Sequence, residues 1–352
     1  MIDEGYMTGF SQSRLHLQFH LTGNCNLRCK HCYRTEGNVE PLTTDDVKGI
    51  IDQFIVLRDK YNNDHNIRKR GHINLTGGEP FIRKDIAEII NYIHSNNKSL
   101  TYGILSNGSF IDDEVIALLK ATDVSFIQLS IDGERNTHDE LRAPGDYNRV
   151  MAVAKKLTSA GIRVYISFTA NAKNYTQLPT IAKECRKNKI TALWSDRIVP
   201  IGNAEELQDL IITKALLPDY VANLKKARGS ELTQKLHKKT DIQIKRALQF
   251  IGSNQPIYEC SAGKSLIVVD EFGNIMPCRR LPLICGNVFT STLTDIYYNH
   301  PTFIDLRKPC IPQECLKCPH NMSCNGGAKC QSYAEYGTYK KADTACTLTE
   351  LL

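Results

Sequence analysis

The residues Arg14-Leu15-His16-Leu17-Gln18-Phe19-His20-Leu21-Thr22 alternate polar and apolar side chains with a period of two, which predicts a strand. From Thr44 the period lengthens to that of a helix, with Val47, Ile50, Ile51 and Phe54 on one face and Thr43 or Thr44 at its cap. The two patterns then take turns. Strands are expected at 72–76, 100–105, 125–131, 163–169 and 192–199, and helices at 84–96, 113–120, 149–160 and 178–188. Such alternation predicts an α/β fold, a parallel sheet with helical crossovers closed or nearly closed into a partial barrel, with functional loops at the C-terminal strand ends. Beyond residue 204 the character changes. Residues 205–250 read as helices with a basic bias, including Lys225, Lys226, Arg228, Lys238 and Lys239, for which a solvated face is the first explanation. Residues 265–269 and a turn at 271–274 read as a small hairpin. The expected division is an N-terminal extension at 1–13, a barrel at 14–204, a helical linker at 205–256 and a small cysteine-rich domain at 257–352.

With 352 residues, 41% of them apolar and 23% charged, the chain has enough material for a large core. A net charge of +6 is mild for this length and gives no reason to expect nucleic acid. The N-terminus is acidic and polar, and no run approaches the length of a membrane span. The expectation is therefore a cytoplasmic protein without a membrane partner. The cysteines change the picture: of 13, three lie within 25–32, one is Cys185 and nine fall between 260 and 346. In a reducing compartment that distribution argues for metal or cluster ligands in two regions.

The first region is Cys25-Asn26-Leu27-Arg28-Cys29-Lys30-His31-Cys32-Tyr33, directly after the alternating run. Three thiolates on a short loop can bond three irons of a cubane cluster and leave the fourth open. Zinc held by three cysteines and His31 is the competing reading, and disulfides fit a short loop with an odd count poorly. The strand ends that follow carry their own motifs. Thr76-Gly77-Gly78-Glu79-Pro80 combines two glycines, a carboxylate and a rigid proline, and reads either as a tight turn or as a close backbone approach to a ligand. Ser106-Asn107-Gly108 is a turn. Ser130-Ile131-Asp132-Gly133 precedes His138, Asp139 and Arg142, and Asp132 is a candidate cap. Asp196 and Arg197, after Trp194, read first as buried ion-pairing residues and alternatively as substrate contacts or catalytic groups. Cys185 reads as a small buried hydrophobe.

The second region runs Cys260, Gly273, Cys278, Cys315, Cys318, Cys324, Cys330 and Cys346, with Cys285 and Cys310 interspersed. A cysteine-rich segment with few long apolar runs needs metal to hold it together, and zinc ribbons are one way to do so.

Taken together, the Cys25/Cys29/Cys32 loop and Gly77-Gly78-Glu79-Pro80 resemble the radical S-adenosylmethionine (radical SAM) enzymes. The second cysteine series resembles their C-terminal SPASM domain. The resemblance implies that Cys25, Cys29 and Cys32 hold a [4Fe–4S] cluster whose open iron binds S-adenosylmethionine. It implies that Gly77, Gly78, Glu79 and Pro80 hold the SAM amino group, that Ser106 and Asn107 lie near its ribose, and that Ser130 and Arg142 contact its ribose or carboxylate. It further implies two auxiliary [4Fe–4S] clusters, one on Cys260, Cys278 and Cys330 and the other on Cys315, Cys318, Cys324 and Cys346. The five residues between Cys324 and Cys330 exceed the usual SPASM spacing. Cys310 is favoured as a further ligand of the first auxiliary cluster, with Cys285 or an open site as alternatives.

The implied activity is reductive cleavage of SAM to a 5′-deoxyadenosyl radical by an oxidoreductase that modifies a ribosomally synthesised peptide or protein side chain by cross-linking, oxidation or epimerisation. A reductant such as flavodoxin or ferredoxin is the implied partner. Because Cys25 comes so early, leader recognition is expected to fall to a separate protein or to the basic 214–246 segment. A small-molecule dehydrogenase or epimerase acting on a sugar or cyclitol is the alternative, with Cys285 or Cys310 as candidate hydrogen donors. A non-catalytic iron–sulfur or zinc protein is the third reading, and it leaves the strand-end motifs without a purpose.

Overall fold

The computed structural model describes residues 14–34, 42–253 and 255–350, and the expected N-terminal extension at 1–13 lies outside them. In chain order the elements are β1 (His16–His20), α1 (Thr44–Asp64), β2 (Gly71–Thr76), α2 (Ile86–Ser95), β3 (Leu100–Leu105), α3 (Asp113–Ala121), β4 (Ile127–Ser130), α4 (Arg135–Leu141), α5 (Asp146–Ser159), β5 (Val164–Ala170), α6 (Leu178–Lys187) and β6 (Ala192–Arg197). They continue with α7 (Leu217–Arg228), α8 (Glu231–Leu236), β7 (Asp241–Gln243), β8 (Leu266–Val269), β9 (Asn274–Met276), β10 (Gly286–Asn287), α9 (Leu293–Asn299), α10 (Pro301–Arg307), α11 (Asn321–Cys324) and α12 (Lys329–Tyr336). The alternating α/β order matches the sequence pattern. Helix α4 and strand β7 were not anticipated, because each is too short for its period to register.

The chain folds into two compact units. The described residues of the first are 14–26, 42–127 and 261–308. Its strands run in the order β10-β9-β8-β1-β2-β3. β1 is parallel to β2, with Leu17 opposite Ile73, and parallel to β8, with Leu17 opposite Ile267. The run Leu266-Ile267-Val268-Val269 is apolar throughout, as suits a parallel strand buried on both faces. It covers the edge of β1 that would otherwise present unpaired backbone groups.

Helix α1 starts at a reciprocal capping box between Thr43 and Asp46 and buries Val47, Ile50, Ile51, Phe54, Leu57 and Tyr61. Gln53 on the same helix donates to the Val288 carbonyl and accepts from the Leu293 N–H, tying α1 to the start of α9. The polar half of β1 is buried as well. His16, Gln18 and His20 are all shielded, and in the neighbouring strands His72 meets Thr101 Oγ1 at 2.8 Å and Asn74 Oδ1 at 3.1 Å. Burial of His72 is tolerated because both of its ring nitrogens are bonded.

The described residues of the second unit are 27–34, 128–253, 255–260 and 309–350. Its strands run β4-β5-β6-β7, with Ser167 opposite Trp194 and Trp194 opposite Gln243 in parallel register. Helix α7 lies against one side of β6, where Tyr220 donates to Ser195 Oγ at 3.1 Å. Arg186 donates to the carbonyls of Ala227 and Arg228, occupying acceptors that the end of α7 leaves open. Lys225, Lys226, Lys238 and Lys239 are exposed. No helix among the described residues is long and apolar enough to cross a membrane.

Phe19 is fully buried at the centre of β1. Phe19→Ala is expected to lower the unfolding free energy by about 3–5 kcal/mol, measured as a shift of the urea midpoint at unchanged slope.

Candidate functional site

In the first unit the end of β1 and the turn after β2 are locked together. The N–H of Gly78 donates to the Thr22 carbonyl and that of Glu79 to the Asn24 carbonyl, both at 2.8 Å. Gly77 has a φ of 136°, and a Cβ there would lie 2.3 Å from Thr22 O; one at Gly78 would lie 2.1 Å from Asn24 O. The space that the two glycines leave open is thus filled by the backbone leading into the cysteine loop. The Glu79 carboxylate is completely buried. It accepts from Phe81 N, from Ser106 Oγ at 2.9 Å and from Asn107 N at 2.7 Å, which joins the ends of β2 and β3. Pro80 opens the short turn that Glu79 caps. Asn107 Nδ2 donates to Asn26 Oδ1 at 2.8 Å and lies 3.7 Å from Cys25 Sγ.

The second unit holds the rest of the loop. Lys30 N–H donates to the Leu141 carbonyl, and Asn203 N–H donates to the Cys32 carbonyl, each at 2.9 Å. Beneath them lies Asp132, with no exposed surface. Its Oδ2 accepts from Arg142 at 2.6 Å and meets His31 Nε2 at 3.1 Å, while Oδ1 accepts from Thr169 N at 2.7 Å. The Asp132 N–H donates to His138 Nδ1, which leaves His138 Nε2 to carry a proton toward Asp146, 2.9 Å away. Burial alone would raise the Asp132 pKa, but the charges of Arg142 and His31 outweigh it and hold the carboxyl well below the usual range. Arg142 then extends Nη1 to within 3.8 Å of Cys29 Sγ. Asp132 is therefore more than a cap: it fixes the guanidinium that faces the second cysteine. Ser130 is half-buried at the end of β4.

Arg197 points away from this cage. Its guanidinium pairs with both oxygens of Asp343, at 2.9 and 2.5 Å, and both partners are buried. Asp343 in turn accepts from Ala328 N and Ala345 N, and its own N–H donates to the Gly326 carbonyl. The pair fixes the segments around Cys324 and Cys346. Asp196 caps the Arg197 N–H.

Cys315, Cys318, Cys324 and Cys346 lie within electrostatic reach of one another. Beside them is a residue that sequence reasoning passed over. Lys329 is only 4% exposed and donates to the Asn325 carbonyl at 2.8 Å. Burial lowers its pKa, against the opposing influence of Cys310, Cys260, Cys324 and Cys315. A buried amine among thiols places N–H donors where thiolate ligands of a metal would need them. Cys330 packs with Val199 and Ile201. Cys278 and Cys285 belong to the first unit. Burial pushes the Cys285 thiol up to about 11 and that of Cys185 up to about 12, so both are protonated at neutral pH.

None of the cysteines is joined in a disulfide, and Cys25, Cys29 and Cys32 are partly exposed. Sulfurs faced by an amide N–H and a guanidinium suit iron–sulfur ligation, because such donors stabilise thiolate charge.

This arrangement has known relatives. Residues 19–185 match the radical SAM superfamily and residues 260–319 an iron–sulfur cluster-binding domain, SPASM. The chain thus carries a radical SAM domain followed by a SPASM domain. It is 28% identical to the AdoMet-dependent heme synthase of Nitratidesulfovibrio vulgaris, covering 94% of this chain and 91% of that protein. It is also 28% identical to the mycofactocin maturase MftC of Mycobacterium ulcerans, over 88% and 82% of the two chains. Streptococcus suis SuiB, solved with S-adenosylmethionine, shares the fold at a TM-score of 0.71 and 18% identity, covering 95% of this chain and 77% of that one.

Asp132→Ala strands Arg142 and His31 and is expected to destabilise the protein by about 3–5 kcal/mol at pH 7, read by urea denaturation. Because the native pKa is lowered, the contribution of Asp132 is complete above an unfolded value of about 4 and fades as pH falls through the native value. The gap between wild type and variant should narrow at acid pH. In cluster-free protein, iodoacetamide is expected to label Cys25, Cys29 and Cys32 long before Cys185 and Cys285. Equal labelling rates by mass spectrometry would contradict this placement.

Proposed function

We propose that the protein cleaves S-adenosylmethionine reductively and uses the resulting radical to modify a peptide or protein side chain. Cys25, Cys29 and Cys32 would hold the SAM-binding [4Fe–4S] cluster. Cys315, Cys318, Cys324 and Cys346 would hold one auxiliary cluster, and Cys260, Cys278, Cys330 and Cys310 would serve the other. When bound, the first cluster supplies one electron to SAM, releasing methionine and a 5′-deoxyadenosyl radical that takes a hydrogen atom from substrate.

The observation that carries this reading is the pair of donors turned toward the loop sulfurs, Asn107 at Cys25 and Arg142 at Cys29. Both donors are themselves held by buried carboxylates, Asn107 through its backbone by Glu79 and Arg142 by Asp132. Such support keeps ligands oriented while charge changes at the metal. Gly77, Gly78, Glu79 and Pro80 form the rigid corner against which SAM would lie, with Ser106 at the end of β3 beside them; Ser130, at the end of β4, would contact it too. A flavodoxin or ferredoxin would deliver electrons, and a separate protein or the basic 214–246 segment would hold a leader.

The peptide reading is supported by likeness to a mycofactocin maturase over 88% of the chain. Likeness to heme synthases over 94% of the chain supports a second reading, a tetrapyrrole substrate. Anaerobically reconstituted protein is expected to hold about twelve irons, falling by about four in the Cys25/Cys29/Cys32→Ala variant with loss of 5′-deoxyadenosine formation. Stimulation of nucleoside formation by a peptide pool would favour the first reading, and by iron coproporphyrin III the second. Zinc in place of iron, with no SAM cleavage, would overturn both.

A further inference from the structure

The second unit contains a set of polar atoms that its own residues leave unsatisfied. Trp194, on β6, is 7% exposed, and its indole Nε1 is buried without a hydrogen-bond partner. The Arg246 guanidinium lies over that ring, 4.3 Å from its centroid, and 5.9 Å from the Tyr258 ring. Arg246 Nε is likewise buried and unbonded, and among the described residues no carboxylate pairs with this guanidinium. Gln243 stands opposite Trp194 in the β6–β7 register, donates Nε2 to Asp241 and leaves its buried Oε1 without a donor. Tyr220 meets Ser195 on the other side of β6, so Trp194 lies on the strand face that α7 does not cover.

Buried donors without acceptors are costly in a native structure and call for a missing partner. Here two such donors, one cationic, belong to stacked side chains, and an orphan acceptor belongs to the residue opposite Trp194 on the next strand. Stacking on an indole desolvates a guanidinium without neutralising it and fixes the plane of its N–H fork. A planar anion able to accept from both satisfies the set, and a carboxylate has that geometry.

We propose that Trp194 and Arg246 form a receptor for a carboxylate of the substrate, with Gln243 Oε1 accepting a neighbouring N–H or O–H. This rests on the reading of the protein as a radical SAM enzyme and narrows its substrate to a molecule bearing a free carboxylate. A peptide C-terminus or side chain and a tetrapyrrole propionate both carry that group. Arg246 and Trp194 bind substrate here and take no part in SAM cleavage. Their work is to anchor the substrate so that a chosen carbon–hydrogen bond faces the radical.

The chain has one tryptophan, so its emission reports on this site directly. Cluster-loaded protein is titrated anaerobically with two matched pairs of probes: coproporphyrin III against its tetramethyl ester, and a pool of free-acid peptides against the same peptides as C-terminal amides. In one pair the acid should bind roughly tenfold or more tightly than its neutral partner, and the responding pair identifies the source of the carboxylate. Arg246→Gln should abolish that preference, and Arg246→Lys, which keeps the charge without the flat stack, should retain part of it. Circular dichroism checks that each variant is folded. Equal affinities for acid and neutral probes in the wild type, no response to either acid, or an undiminished preference in folded Arg246→Gln would overturn the proposal. Because the readout is binding, SAM cleavage can fail while the carboxylate preference stands, and the reverse, so the two readings are tested apart.

Discussion

The pairing of the buried Asp132 carboxylate with Arg142 is the interaction on which the functional part of the second unit depends. An irregular loop that carries three thiols cannot hold itself in shape with helix or strand hydrogen bonds. It is held instead by groups on the elements around it, through His31, the Leu141 carbonyl, Asn203 and Arg142. Asp132 satisfies a backbone N–H of β5, a histidine and a guanidinium at once, and each of those partners has a further job. Buried ion pairs are weak evidence of stability when compared with apolar packing. Here the pair does what apolar packing cannot, aiming a permanent positive charge at a sulfur.

The same device recurs. Glu79 in the first unit gathers Ser106, Asn107 and Phe81 as Asp132 gathers its partners, and Asp343 gathers Arg197, Ala328 and Ala345 around the later cysteines. Each is a fully buried carboxylate at or near the end of a strand or turn, saturated by donors from the chain. Irregular loops need such hubs because their backbone groups have no ladder to join. Lys329 is the complement, a buried amine set among the thiols. Trp194 and Arg246 break the pattern. No such hub reaches them: Trp194 Nε1 and Arg246 Nε are buried without an acceptor while the two side chains stack on one another.

Much of the fold was legible in the chain. The alternating run 14–22 and the stripe Val47, Ile50, Ile51 and Phe54 define β1 and α1, because period and burial are linked by simple geometry. The cysteine loop and the strand-end glycines were legible because few other residues can do their work. What was not legible was the partner of each polar residue. Asp132 read as a cap, since nothing local shows that Arg142 and His31 will both turn toward it. Asp343 is separated from Arg197 by well over a hundred residues, a distance across which no periodicity carries information. Lys329, between Cys324 and Cys330, was the one signal open to closer reading: a lysine inside a ligand series has reason to be buried.

The sequence by itself determined the α/β order of elements, the place of the thiols and the likeness to radical SAM and SPASM domains, because local period and the chemistry of cysteine and glycine depend little on distant residues. Tertiary structure alone decided that β8 completes the sheet beside β1, that the space at Gly77 and Gly78 is taken by the chain's own backbone, and that Arg197 serves the later cysteines. It alone revealed which polar groups are left wanting. Burial and hydrogen-bond satisfaction are properties of a surrounding, and the surroundings of Trp194, Arg246 and Asp132 are assembled from strands and helices far apart in the chain.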